Sequence, residues 1–167
     1  MGLEMHNLGA DVKRASTLFA SVALAGCAPP APSDQAMIDN FHRNRPQFEQ
    51  LREMLCGLSH PQTVMMDPEW SRPVVSEEDK QGYYAIFKAI GAKGVQAIRE
   101  PCRVSVDVWS VGFSGDGDYK KYRFGPELHT PMVNSRNLDA VDRSNDQITF
   151  YQRQIEGDWW LEFQHWP

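Results

Sequence analysis

The residues best suited to chemistry are His42, His60, His129 and His165, because imidazoles paired at helical spacing hold zinc and activate water. They stand singly, with no H-E-x-x-H pair and no Cys/His cluster, so no metal and no cofactor is expected. Asp116 and Asp118 alternate with Gly115 and Gly117 as in the start of a calcium loop. The third acidic ligand and the distal Glu of such a loop are missing, and a hairpin turn with solvated Asp is expected instead. Gly112-Phe113-Ser114-Gly115 places glycines near a serine, but at the wrong spacing for a nucleophile elbow. There is no phosphate-binding or dinucleotide fingerprint. Asp107, Glu127 and Glu162 could meet in space as paired carboxylates. In a chain with 22 acidic residues some pair must lie close by chance, so this identifies no active site. The chain is therefore not expected to be an enzyme. A small hydrolase, using carboxylates or a pocket with His129 or His165 beside an acid, is the alternative.

The clearer chemistry is at the N-terminus. Lys13-Arg14 precede an apolar run, Ala15–Ala25, that is too short to cross a hydrocarbon core needing about 20 helical residues. A cationic flank, a short apolar run and small residues at its end describe a signal peptide. A buried helix is the competing reading, but Ala28-Pro29-Pro30-Ala31-Pro32 follows at once and no helix continues through it. Leu24-Ala25-Gly26-Cys27 closes the run and resembles the lipobox of bacterial lipoproteins. That resemblance implies a diacylglyceryl thioether on Cys27, cleavage before it and acylation of the new amino group. Several acyl chains give stable anchoring, where one alone is marginal. Ala rather than Asp at position 28 implies, by the same resemblance, the outer membrane facing the periplasm. Met5 could serve as the start as well as Met1.

The expected organisation is a removed signal peptide (1–26), a lipidated Pro/Ala tether (27–33) and a single domain (34–167). The removed segment balances two basic against two acidic residues, so the mature chain keeps the net charge of −5. A mildly acidic surface argues against nucleic acid as a partner. With Cys27 given to lipid, Cys56 and Cys102 form an even pair in an oxidising compartment, and a disulfide is expected. Two unrelated buried thiols are the alternative.

The elements follow from periodicity. Met37, Ile38, Phe41, Phe48, Leu51, Met54 and Leu55 share one helical stripe, with Ser33 as N-cap. Pro46 either kinks this helix or starts a second one after Asn44, and the unbroken stripe favours one bent helix. The turn-rich segment 59–75 reads as an excursion anchored by Val64, Met65 and Trp70. Ser76-Glu77-Glu78-Asp79 opens a helix that buries Tyr83, Ile86, Phe87 and Ile90 and stops at Gly91 and Gly94. After Val95 the period becomes 2. Val104, Val106 and Val108 give way to Trp109, Val111 and Phe113 on the opposite parity, which predicts a β-bulge or a strand end buried on both faces. Residues 119–124 return as a hairpin, 133–141 are weakly patterned, and 147–155 with 158–166 make a second hairpin around Glu156-Gly157. The predicted fold is α+β: two helices on one face of a four- to five-stranded antiparallel sheet built from hairpins.

Phe41 through Met54, the Ser-capped second helix, the Gly-flanked hairpin, Asn137-Leu138-Asp139 and Gly157-Asp158-Trp159-Trp160 resemble small, uncharacterised lipoproteins of Gram-negative bacteria. The resemblance implies fold and envelope location only. Binding is the expected activity. In Trp159-Trp160 neighbouring side chains point to opposite faces of the strand, so one Trp lies off the helix-covered side. Trp160 and Trp166 share parity with Glu162 and Gln164, which makes them the candidate binding surface, exposed or loop-covered. The expected partners are the membrane, through the lipid, and a protein or envelope polymer. An inhibitor or immunity-type role is one form this could take.

Overall fold

The computed structural model describes residues 29–112, 117–129, 131–144 and 146–167. The signal segment, the lipobox with Cys27, and Asp116 lie outside the described residues.

Ser33 caps α1 (Asp34–Arg43), its Oγ accepting from the Ala36 amide at 3.2 Å. α1 ends at Arg43, and α2 (Arg45–Cys56) begins after Asn44 with Pro46 in its first turn. The expected single bent helix is therefore two. Pro46 has no N–H for the His42 carbonyl, and its ring would collide with that carbonyl in a continuous helix. The first turn of a new helix has no such demand. Burial runs straight across the break, through Met37, Phe41, Phe48, Leu51 and Leu55, which is why the stripe looked continuous. α3 (Glu77–Ile90) starts where its signals say. Ser76 Oγ accepts from the Asp79 amide at 3.1 Å, and Gly91 closes the helix at φ 71°, where a side chain would be strained.

Among the described residues the sheet has seven strands rather than four or five. They are β1 (Gln62–Met65), β2 (Gly94–Ile98), β3 (Arg103–Val111), β4 (Gly117–Phe124), β5 (Met132–Asn134), β6 (Thr149–Glu156) and β7 (Trp159–Trp166). The spatial order is β1-β2-β3-β4-β7-β6-β5, antiparallel except for β5 beside β6, which makes the sheet mixed. β1 and β5 escaped the sequence reading because three or four residues are too few to display a period of 2. Within the 59–75 excursion Val64 is buried, but Trp70 is 69% exposed and anchors nothing. The parity switch in β3 is a bulge: the register slips between Asp107 and Trp109, so Val104, Val106 and Trp109 all reach the core.

All three helices contribute to the core on one face of the sheet, around an aromatic centre. The Phe48 ring lies 4.6 Å from Tyr122 and 5.4 Å from Trp159. Tyr122 donates to the Met37 carbonyl at 2.8 Å and accepts from Asn40, and burial pushes its pKa up to about 12. Cys56 and Cys102 lie at disulfide distance, with Cα atoms 5.7 Å apart, joining the end of α2 to the β2–β3 turn.

One core position of β4 is charged. Lys120 is fully buried and sits in an ion cluster with Asp34 (2.8 Å) and Asp139, while Arg153 binds Asp34 at 2.9 Å. Burial pushes the Asp139 carboxyl up, but its hydrogen bonds from Lys120 and the Asp34 amide outweigh this and leave it below its usual value. Lys120 also donates to the Pro32 carbonyl at 2.8 Å, and Trp109 Nε1 donates to the Pro29 carbonyl at 2.8 Å. The Pro/Ala segment is thus fastened to the domain from Pro29 onward.

Candidate functional site

Strand alternation leaves the other face of the sheet to polar side chains. One row across it reads Asp107, Lys121, Glu162, Gln152 and Asn134, taken from β3, β4, β7, β6 and β5 in turn. The neighbouring row reads Gln96, Ser105, Arg123, Trp160 and Gln154. Residues 125–129 and 131–135 fold over part of this face and are held by side chains of the sheet. Arg123 donates to the Pro126 carbonyl (2.7 Å) and to Gln152 Oε1 (2.8 Å). Gln152 in turn donates to the Leu128 carbonyl (2.6 Å) and to Asn134 (2.9 Å).

This cover decides the fate of the candidate tryptophans. Trp160 is 6% exposed; its Nε1 donates to the Gly125 carbonyl at 3.1 Å, and the Arg123 guanidinium lies 5.4 Å from its ring centroid. Trp166 is half-buried and packs edge-on against Phe150 at 5.6 Å. The two share a face, but six residues of strand separate them by roughly 20 Å. They do not form one surface.

Beside the cover is a recess of about 170 Å³ lined by Gln96, Arg103, Ser105, Lys121, Arg123 and Glu162, with apolar contributions from Ile98 and Leu128. Arg123 is 3% exposed and Glu162 5%. Their charges face each other loosely, Arg123 Nε to Glu162 Oε2 at 3.7 Å. The Nε atoms of Arg103 and Arg123 are both buried and have no hydrogen-bond partner among the described residues. Burial pulls the Arg123 guanidinium below its usual pKa, Glu162 opposes this, and the Arg103 charge adds to it. A guanidinium starts so high that Arg123 stays cationic all the same. Asp107 responds the other way: burial raises its pKa, Lys121 opposes this, and the nearby Glu162 adds to it.

Two of the three carboxylates considered from sequence share one row, Asp107 and Glu162, with Lys121 between them. Glu127 is apart, accepting from Asn134 at 2.6 Å. His165 has an acid beside it, Asp118 at 2.7 Å, but on the helix-covered parity of β7; His129 is exposed, and neither lines the recess. Among the described residues no group of three or more His, Cys, Asp or Glu gathers as a metal site. No helix among them is long and apolar enough to cross a membrane.

Sequence reasoning missed Arg103, Ser105, Lys121 and Arg123. Their signal was present: Arg103, Ser105 and Asp107 share one parity of β3, while Lys121 and Arg123 share the matching parity of β4. Comparison of the chain with protein-family models, with curated proteins and with solved structures finds no match.

Proposed function

We propose that this chain is an envelope lipoprotein, anchored through acylated Cys27, whose domain works by binding on the open face of its sheet rather than by catalysis. The location that goes with this reading is the outer membrane, facing the periplasm, and the partner is a protein or envelope polymer. The observation that carries it is the fastening of the N-terminal segment. Pro29 and Pro32 are tied to Trp109 and Lys120, so the chain joins the domain two residues beyond Cys27. Acyl chains on Cys27 would hold such a domain directly at the bilayer surface. The segment leaves near the end of the sheet where β3 finishes and β4 begins, and the recess lies at the Arg103–Arg123 end, farther along both strands. A recess displaced along the strands from the fastened segment suits a binding face turned away from the lipid.

A small hydrolase is the second reading, favoured by Asp107. Its raised pKa beside Glu162 suits a carboxyl that holds a proton for transfer. The experiment that separates the two is affinity capture from detergent-solubilised membranes with wild-type protein and an Arg103→Gln variant. A partner lost on the variant supports binding. Turnover of an envelope polymer by purified wild type, abolished by Asp107→Asn, would support the hydrolase.

A further inference from the structure

We infer that the recess on the open face is a binding site for a carboxylate group, received by the guanidinium groups of Arg103 and Arg123 that line it. This deepens the reading of the open face as the working surface, and rests on that part of it.

Three observations converge. Buried polar groups in folded proteins are almost always hydrogen-bonded, and an unpaired charged donor is among the costliest exceptions. Here Arg103 Nε has no hydrogen-bond partner among the described residues, Arg123 Nε has only the 3.7 Å ion pair with Glu162, and both arginines, on adjacent strands, line the same recess. Arg123 Nη1 and Nη2 each give a hydrogen bond, to the Pro126 carbonyl and to Gln152, which holds the guanidinium in place. Such a donor is preorganised.

Charge and size then choose the ligand. Arg103, Lys121 and Arg123 are set against Glu162 within the recess, and Asp107 is the strand partner of Lys121. Glu127 acts on Arg123 and Lys93 on Asp107 as well, and four cations against three carboxylates leave room for one negative charge. A dianion such as phosphate would face the repulsion of Glu162 without a matching cation. At about 30 Å³ per small heavy group, a volume of about 170 Å³ holds five or six heavy atoms. That is room for a carboxylate and a short stem, with the outer side of the recess open to solvent. Arginine is also the residue whose planar donors match a carboxylate. Ile98 and Leu128 give the stem apolar contact.

The test uses the full chain in detergent, ¹⁵N-labelled, with the arginine Nε–H resonances followed during titration with propionate at fixed ionic strength. The Arg103 and Arg123 signals should move together and saturate, while Arg153, bonded to Asp34, stays still. Arg103→Gln should weaken propionate by about tenfold, the scale of one charge-assisted pair. If that variant does not fold, Lys121→Gln, at a half-buried side chain, should weaken it by about threefold, the scale of a partly exposed charge. Signals that do not move, or that drift in proportion to added salt on every arginine alike, overturn the site. Inorganic phosphate binding as tightly as propionate overturns the single-charge assignment. Membrane fractionation of the same protein keeps the two claims apart: an anchored chain with unmoved signals loses only this inference, and an unanchored chain with saturating signals loses only the anchor.

Discussion

Lys120 Nζ and the Pro32 carbonyl are joined by a 2.8 Å hydrogen bond across 88 residues of chain. A lysine with no solvent exposure thus ties the entry of the polypeptide to the centre of its sheet. The same ammonium is held by Asp34 and Asp139, so one side chain serves the first helix, the segment before it and the loop before β6.

Removing that cation leaves Asp34 with Arg153 as its charged partner and Asp139 with only the Asp34 amide. Lys120→Met should destabilise the domain by about 3 kcal/mol or more, because a buried charge left without its partner costs far more than the intact pair contributes. Adding Asp34→Asn should recover part of the loss. Urea denaturation of the three proteins measures both steps, and a single variant as stable as wild type would show the cluster to be energetically idle.

Asp107 gives the pH dependence a definite sign. Burial raises its pKa in the folded chain, so the folded state holds the proton more tightly than the unfolded one. Its contribution is best at pH below the ordinary carboxyl range and declines as pH rises through the raised value. Asp107→Asn should therefore stabilise at neutral pH, by less than about 1 kcal/mol for a half-buried group that also loses Lys121. The difference should vanish in acid. Thermal melts across pH check this, and a variant less stable than wild type at neutral pH would contradict it.

The Cys56–Cys102 link closes a loop with a sequence separation of 46. In the chain-entropy account such a closure is worth about 4 kcal/mol. Reduction, or the double substitution Cys56→Ala with Cys102→Ala, should lower stability by up to that amount without changing the far-UV spectrum. Mass spectrometry of the non-reduced protein should find no free thiol at either position.

The N-terminal fastening is testable by itself. Trp109→Phe keeps the ring in the core but removes the donor to Pro29. It should cost about 1 kcal/mol and make residues 27–33 the first site of limited proteolysis. Equal protease resistance in both proteins would show that this contact does not hold the segment down.

The sequence disclosed those features whose signal is carried by many residues at once. α3 was legible because the Ser76 cap, three acids and Gly91 all agree, and the β3 bulge because apolar parity reversed at Trp109. The α1–α2 break was hidden by the continuous burial of Phe41 and Phe48, although Pro46 announced it. β1 and β5 carry too few residues to alternate, and the parallel pairing of β5 depends on where the chain after β4 returns. The recess was the least legible. It is made by register, which sets Arg103, Ser105 and Arg123 beside one another, and by a cover that turned Trp160 from a surface candidate into a buried one.

The central claim is that Cys27 carries the lipid that holds this fastened domain at the membrane. It is tested most directly by intact-mass measurement and membrane fractionation of wild type beside Cys27→Ser. The account predicts a wild-type chain that begins at Cys27, carries acyl mass and sediments with membranes, and a variant that is released or left as uncleaved precursor. A variant processed normally and still retained in the membrane fraction, or a wild-type chain with an unmodified Cys27, would contradict it.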